Sequence, residues 1–524
     1  MIYYDIECSQ AGELLAIGRA DDSNDEVQVF SDWDAFFDTV DNGECLVAHN
    51  GSAYDSLSII EHLLQAGAIT DFEAMVVGSK IIKMDIQISN SKKVTLIDSF
   101  NLIPSSLNDA AKMLLGESKL EIDCLPENLP REKLIAYLKK DCLLLKRVLN
   151  RFWREVSDFS GFKGNSLTTA SLSLKIFEHV SGFRVRKVSS ALNSIIQQSY
   201  NGGWVQVFRY GEFKQVSVYD VNSMYPYVMR TFRYPVNGNV VNCMRFHDSP
   251  GWYRVQFDCG DNPSPIVRKS VPIQSGIELV NENEFKRLDE IFAVRRFLGG
   301  FRFVDTDYIF REHIDNLYRI KTEKKPLSFV VKLLMNSLYG KFAQREETIS
   351  IGYNCSGVPI GFRPLVRGCN FYEIVGKREV IHRHLGIGAA ITANTRAYLH
   401  QFIDSNTVYC DTDSIHTTGK APNLPIGDKL GQFKLEFSGS GIYVGKKLYL
   451  LFNELETRVK SKGIRSRGNP VYGGFHEFTL AEFRKMLKGG QVTTKFRTMP
   501  TIREVLAGAK ACKPIDRQRK VRKT

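Results

Sequence analysis

Seven carboxylates in this chain of 524 residues stand in settings that suit metal-assisted phosphoryl chemistry. Asp5 and Glu7 lie two apart in the apolar stretch IYYDIEC. In a strand, a period of two puts both on one face. Asp55 closes Asn50-Gly-Ser-Ala-Tyr54-Asp55, directly after the apolar run CLVAH, where a strand should turn into a helix. Tyr137 and Asp141 are four apart in a helical pattern and so share a face. Carboxylates converging from separate elements repel one another unless cations lie between them. Phosphodiester cleavage with two metal ions needs that arrangement: one ion prepares a hydroxide and the other stabilises the leaving oxygen. Tyr137 suits the orientation of the attacking water.

The second set is Asp220, Asp411 and Asp413. Asp220 ends the strand-like QVSVYD, and Asp411 and Asp413 follow the strand-like NTVYC at a turn. In-line attack of a 3′-hydroxyl on an α-phosphate calls for the same hard-oxygen ligands. Between them, Lys332, Asn336 and Tyr339 fall within about 60° of one another on a helix. Lys332 suits a triphosphate as a mobile point charge. Tyr339 suits the flat face of a nascent base pair.

These residues sit in six ordered motifs. The pieces holding Asp5 and Glu7, Asn50 to Asp55, and Tyr137 to Asp141 resemble the Exo I, II and III motifs of the DEDDy 3′–5′ exonucleases. Asp220-Val-Asn-Ser-Met-Tyr225-Pro226, Lys332-Leu-Leu-Met-Asn336-Ser-Leu-Tyr339-Gly340 and Tyr409-Cys-Asp411-Thr-Asp413-Ser414 resemble motifs A, B and C of family B DNA polymerases. The resemblance implies a DNA-dependent DNA polymerase with a proofreading exonuclease, using Mg²⁺ (Mn²⁺ as the alternative), two ions per active site. Asp220 and Asp413 are then direct ligands, with Val221 and Asp411 beside them. Asp5, Glu7, Asp55 and Asp141 hold the exonuclease ions. Tyr225 fits the position that excludes a ribose 2′-hydroxyl. Lys321 matches a lysine that helps hold the triphosphate, although Pro326 lies between it and Lys332.

Four smaller features resemble the protein-primed subgroup of phages, adenoviruses and linear plasmids. Tyr200-Asn-Gly202-Gly203 matches its Y-x-G-G linker, where glycines let backbone approach template phosphates. Lys119-Leu-Glu-Ile122 matches a motif whose lysine supports exonucleolysis. Asp98-Ser99-Phe100 stands where the group has a Ser-Leu pair that grips a single-stranded 3′ end, as Asn50 and Tyr54 also would; Phe100 departs from the pattern. Lys447-Leu-Tyr449 matches K-x-Y, a primer-terminus contact. The subgroup's partners follow: primer–template DNA, dNTPs and a terminal priming protein, with the chain a monomer or a heterodimer with that protein. Strand displacement is also implied. The alternatives are a nucleic-acid-primed family B repair or replication polymerase, a nuclease whose polymerase half only positions substrate, and a non-catalytic DNA-binding scaffold.

The elements that must position these residues imply a multidomain α/β and α+β chain. An RNase H-like exonuclease domain is expected at 1–160 and a helical connector at 161–203, with helical patterns over 131–156 and 165–199. A right hand follows: palm at 204–243 and 381–440, fingers at 316–344, thumb and basic tail at 441–524. Residues 244–315 are an insertion, irregular over 244–300 because of Pro and Gly in SPGW, DNPSP and LGGF. Residues 345–380 are a second, β-hairpin insertion. A helix pair over 309–344 breaks near Pro326, and a long helix covers 386–404.

Charge divides the chain. Residues 441–524 carry 20 Lys/Arg against 6 Asp/Glu, whereas residues 1–79 carry 16 acidic side chains and one basic one, Arg19. The basic rear suits a polyanion, and the last stretch, 506–524, reads equally as a solvated tail. Ten cysteines without a C-x-x-C spacing suggest free thiols in a reducing compartment and no zinc site. No apolar run reaches 18 residues, so no membrane span is expected. The opening MIYYDIEC is already strand-like, so no signal or transit peptide is expected, and the host cytoplasm is the implied location for a phage or plasmid enzyme.

Overall fold

Alternation builds the first sheet. In the strand Ile2–Cys8, Ile2, Tyr4, Ile6 and Cys8 are buried in one core, while Asp5 and Glu7 share the opposite face. The strand pairs antiparallel with Leu14–Asp21 and parallel with Cys45–Ala48, which in turn pairs parallel with Lys92–Asp98. Helix Asp55–Gln65 follows Cys45–Ala48, and helix Arg131–Ser160 lies against Ile2–Cys8. The computed structural model describes residues 1–523 apart from 79, 90–91, 270, 324–326, 420–422 and 467–473.

This sheet has ten strands because a distant segment joins it. Glu347–Asn354 and Phe371–Lys377 form an antiparallel hairpin, and Glu347–Asn354 also pairs with Ile69–Val77. Tyr353 packs at a tilt on Phe371, which meets Phe72 edge to face, and the hairpin covers what would otherwise be an exposed edge.

The second sheet has seven strands, in the order Thr457–Ser461, Leu448–Phe452, Phe433–Gly445, Gly211–Val221, Ser414–Thr418, Thr407–Asp411, Val205–Val207. Its central strand carries Asp220 opposite Ser414, the residue just after Asp413. Helix Leu385–His400, buried along its whole length, packs against helices Met224–Thr231, Ser190–Gln197 and Glu282–Glu290. The palm boundary expected at 440 falls inside the strand Phe433–Gly445, and the sheet runs on to Ser461.

Three expectations need correcting. Residues 244–300 are not irregular: strands Val240–Cys243, Gly251–Asp258, Ser275–Asn281 and Val294–Phe303 form a four-stranded sheet with its own core. The glycines that suggested loops sit where strands nearly touch. A Cβ on Gly300 would lie 2.3 Å from the Trp252 carbonyl oxygen. The helix expected through Gly340 is broken: Leu327–Ser337 ends before Tyr339, which opens the short helix Tyr339–Phe342. Pro326 lies outside the described residues. The end of the chain is folded. Ile515–Val521 pairs with Val492–Thr498, and Val505, Ala511 and Cys512 are buried in the core of the first sheet. All ten cysteines are free thiols, and no helix among the described residues is long and apolar enough to cross a membrane.

Candidate active sites

The first site forms where three elements meet. Among the described residues, one trio could hold a metal ion: carboxylate oxygens of Asp5, Glu7 and Asp141 lie within 4.8 Å of one another. Asp55 heads its helix, accepts from the Ile6 backbone N–H at 3.1 Å, and shares a hydrogen bond with Asp5. Burial, then the charge of Asp141, pushes Asp5 up to about 7. Burial also raises Glu7 and Asp55, each helped by the charge of Asp5. Asp141 is raised by burial, although its ion pair with Lys119 and a hydrogen bond from Tyr137 pull the other way. Burial lowers Lys119, but Asp141 and Asp5 outweigh it and hold the ammonium charged. Lys119 also lies 5.1 Å from the centre of the Tyr137 ring. Excess negative charge on hard oxygens is the setting a divalent cation relieves.

A cavity of about 360 Å³ opens on this site, lined by Asp5, Lys119, Asp141, Asn50, Phe100 and His49, among others. Of the residues expected to contact a single strand, Asn50 and Phe100 line it. Tyr54 and Ser99 do not line it. Tyr54 packs on the core, hydrogen-bonded with the Cys8 thiol, and the Ser99 hydroxyl donates to the Ala48 carbonyl. His49 was missed by sequence reasoning. Its Nε2 donates to the Ser105 carbonyl at 2.7 Å and its Nδ1 lies 2.8 Å from Ser99 Oγ. Its place just before Asn50 is the one signal available in the sequence.

The second site is a turn clamped from both sides. Thr412, between Asp411 and Asp413, is held in the left-handed region at φ +62°, with its N–H donating to the Trp204 carbonyl at 2.7 Å. The Val221 N–H donates to the Asp413 carbonyl at 2.8 Å, tying the Asp220 strand to the turn. Burial, then Asp413 and Glu436, raises Asp220 to about 8; burial, then Asp411, raises Asp413 to about 6. Glu436 was not singled out from the sequence. It is the extra residue of a bulge between Leu435 and Phe437, and no local pattern marks it.

Asp411 has partners of its own. Lys447 Nζ sits 2.7 Å from both of its oxygens, and the Tyr409 hydroxyl donates to it at 3.2 Å. Tyr449 packs on Tyr409 with ring centres 5.0 Å apart. So Lys447 and Tyr449 reach the site together, through Asp411 and its supporting ring.

Tyr225 and Tyr339 stack face to face, 4.0 Å between centres and 12° between planes. Lys321 donates to Ser223 Oγ at 2.9 Å. Burial lowers its pKa first, then repulsion from Lys332, so the two lysines are neighbours despite lying on separate helices. Lys332 also acts electrostatically on Asp220. Asn336, one turn after Lys332, is exposed.

In the linker, Tyr200 lies close enough to Tyr339 for the two phenols to interact electrostatically. A Cβ on Gly202 would meet nothing within 4 Å, whereas one on Gly203 would lie 2.5 Å from Thr412 Oγ1. Gly203 is therefore glycine because it passes close over the Asp411–Asp413 turn. Arg396, buried with Glu284 as its ion-pair partner, donates to the carbonyls of Asn201 and Gly202 and fixes this approach.

Residues 126–356 match the family model described as DNA polymerase type B, organellar and viral. Over that span the chain is similar to the type B DNA polymerases. It is 25% identical over 465 residues to the DNA-directed DNA polymerase of Enterobacteria phage PRD1, covering 84% of this chain and 79% of that one. A probable DNA polymerase of Neurospora intermedia is 26% identical over 81% of this chain, which spans 54% of that longer protein. The solved structure of Phi29 DNA polymerase complexed with primer–template DNA superposes with a TM-score of 0.76 at 20% identity, covering 99% of this chain and 100% of that one. The whole chain therefore shares the fold of Phi29 DNA polymerase, an α/β multidomain architecture.

Proposed function

We propose that the chain is a DNA-dependent DNA polymerase with a separate 3′–5′ exonuclease, replicating a linear viral or plasmid genome from a protein primer with strand displacement. The observation that carries the reading is the pair of carboxylate sites, one on each sheet, in a chain that matches a polymerase fold end to end. Its substrates are then primer–template DNA and dNTPs, and its further partner a terminal protein that supplies the first hydroxyl.

The sites divide the work. Mg²⁺ ions, two per site, would supply an activated attacking oxygen and neutralise charge on the phosphate. Asp220 and Asp413, supported by Glu436, hold them at the polymerase site; Asp5, Glu7, Asp55 and Asp141 do so at the exonuclease site. Their raised pKa values are those of carboxylates built to face cations. Lys321 and Lys332 take the triphosphate. Tyr225 and Tyr339 part to admit the incoming sugar and base, and the Tyr225 ring then fills the space of a 2′-hydroxyl. Lys447, neutralised on Asp411, approaches the primer end. In the exonuclease, Tyr137 orients the attacking water, and Lys119 holds Asp141 and stabilises the charge that develops on phosphate.

The assignment of regions follows. Residues 1–160 are the exonuclease, 161–203 the connector, 204–243 with the strands through Ser461 the palm, and 316–344 the fingers. The insertions 244–315 and 345–380 meet the priming protein and encircle DNA. The remaining C-terminal residues are the thumb, whose Lys and Arg meet duplex phosphates.

The test is incorporation of labelled dNMP on a primer–template, beside transfer of the same label to a separately expressed terminal protein. Incorporation supports the polymerase reading, and label on the protein supports protein priming. DNA binding without incorporation would leave a scaffold; incorporation without labelled protein would leave a nucleic-acid-primed enzyme.

A further inference from the structure

Asp98 ends the strand Lys92–Asp98 and is buried, 8% exposed. It does not line the cavity. Yet its carboxylate gathers four donors from two loops. Oδ1 accepts from the Asn50 N–H at 2.8 Å and from the Phe100 N–H at 2.9 Å. Oδ2 accepts from the Ser52 N–H at 3.1 Å and from the Ser52 hydroxyl. Buried carboxylates that accept several backbone N–H bonds hold those amides firmly, because each bond is charge-assisted and no water competes.

The two loops need such a tie. Asn50 sits in the left-handed region at φ +65°, a conformation that few side-chain-bearing residues other than Asn and Asp adopt. A Cβ on the next residue, Gly51, would lie 2.6 Å from the Ala48 Cβ, so the chain turns in close contact with the strand it has just left. Three residues beyond Ser52, the same loop delivers Asp55 to the carboxylate cluster. Phe100, in the other loop, faces Lys80, whose ammonium lies 5.4 Å from its ring centre. Asn50 and Phe100 both line the cavity and hang from one oxygen of one side chain.

We infer that Asp98 is the positioning residue of the exonuclease strand clamp: one oxygen sets the Asn50 and Phe100 loops at a fixed separation across the cavity, and the other anchors the loop that leads to Asp55. The inference rests on the exonuclease reading above. Asp98 touches neither the nucleotide nor the reacting atoms, so its loss should act mainly on the hold of the single strand. Asp5, Glu7 and Asp141 come from other elements, and the hydrogen bonds of Asp98 go to Asn50, Ser52 and Phe100 instead.

The experiment is steady-state exonucleolysis of a 5′-labelled single-stranded oligonucleotide with Mg²⁺, using the full chain. Wild type, Asp98→Ala, Asp98→Asn and Ser52→Ala are compared, with matched-primer extension in the presence of dNTPs measured on each. Asp98→Ala should raise KM roughly tenfold or more, about the loss of one charge-assisted hydrogen bond, with a smaller change in kcat. Asp98→Asn keeps one carbonyl oxygen for Asn50 and Phe100 and should recover part of that loss, leaving KM raised about threefold. Ser52→Ala removes one of the two bonds on Oδ2 and should fall in the same range. Extension should stay at the wild-type rate in all three. If Asp98→Ala does not fold, the other two carry the same comparison. Wild-type KM in Asp98→Asn and Ser52→Ala, or in Asp98→Ala, overturns the inference while leaving the exonuclease intact. No digestion by the wild type would instead remove the exonuclease reading and this inference with it.

Discussion

Replacing Gly203 with alanine should disable polymerisation and leave exonucleolysis alone. The new Cβ would stand 2.5, 2.6 and 2.8 Å from Thr412 Oγ1, Cγ2 and Cβ, whereas ordinary contact begins near 3.4 Å. Something must move by about 0.9 Å. Thr412 has little freedom to do so. Its backbone is already left-handed, its N–H is bonded to Trp204, and Asp413 beside it is bonded to Asp411 and to Val221. Nor can the linker retreat easily, since Arg396 holds the carbonyls of Asn201 and Gly202. A displacement of ~1 Å in a catalytic constellation costs on the order of 100-fold, about 2.7 kcal/mol in the barrier. Single-turnover extension of a bound primer by rapid quench measures this directly. Gly203→Ala should be slower by that order, with DNA affinity nearly unchanged. Adding Thr412→Gly should restore much of the rate, because glycine removes the clash and tolerates the positive φ. A phosphate-approach role for Gly203 would instead appear as weaker DNA binding. Wild-type extension by Gly203→Ala, or a double variant no faster than the single one, would refute the steric argument.

Other consequences can be checked independently. Tyr225→Val removes one ring of the Tyr225–Tyr339 stack and should lower the dNTP-to-rNTP ratio of kcat/KM at least tenfold, ~1.4 kcal/mol; an unchanged ratio would remove Tyr225 from sugar discrimination. Burial lowers His313, His384 and His400 to about 4, and His416 to about 3. Their neutral forms favour the fold above the unfolded pKa of ~6.5, and that stability is lost as pH falls toward 4, by about 1.4 kcal/mol per pH unit for each imidazole. Because the raised carboxylates of both sites gain stability over the same range, the imidazole share is read by difference: between pH 6 and 4.5 the melting temperature of wild type should shift downward relative to that of His416→Gln, and parallel profiles would mean this ring is not held neutral. Cys512→Asp places a charge in the buried contact between the chain's end and the first sheet, and should cost roughly 3–5 kcal/mol; for a solvated tail the change would stay within about 0.5 kcal/mol in denaturant unfolding.

Local periodicity made the first sheet's chemistry legible. Two residues apart in a strand, Asp5 and Glu7 had to share a face, and one helical turn sufficed to join Tyr137 with Asp141. The motif order likewise anticipated which strands would meet at Asp220 and Asp413. What stayed hidden depends on long-range pairing, which leaves no local mark. Nothing in Glu347–Asn354 announces that it will pair with Ile69–Val77. Nothing in the basic sequence after 506 announces that Ala511 and Cys512 will be buried under the first sheet. Glycines were read as loop signals over 244–300, but Gly251 and Gly300 mark close strands. The shared face of Lys332 and Tyr339 assumed one continuous helix, and the break at Leu338 changes how Tyr339 is presented. The pairing of Asp411 with Lys447 is a tertiary contact across 36 residues, beyond any periodic pattern.

The central claim is that two independent carboxylate sites perform opposite reactions on one primer end. Its most direct test is a 5′-labelled primer on a template with Mg²⁺, incubated with and without dNTPs, using wild type, Asp413→Ala and Asp5→Ala. The account predicts that Asp413→Ala loses extension but still shortens the primer, and that Asp5→Ala loses shortening but still extends it. Loss of both activities in either variant, or a wild type that binds the DNA and does neither, would contradict it.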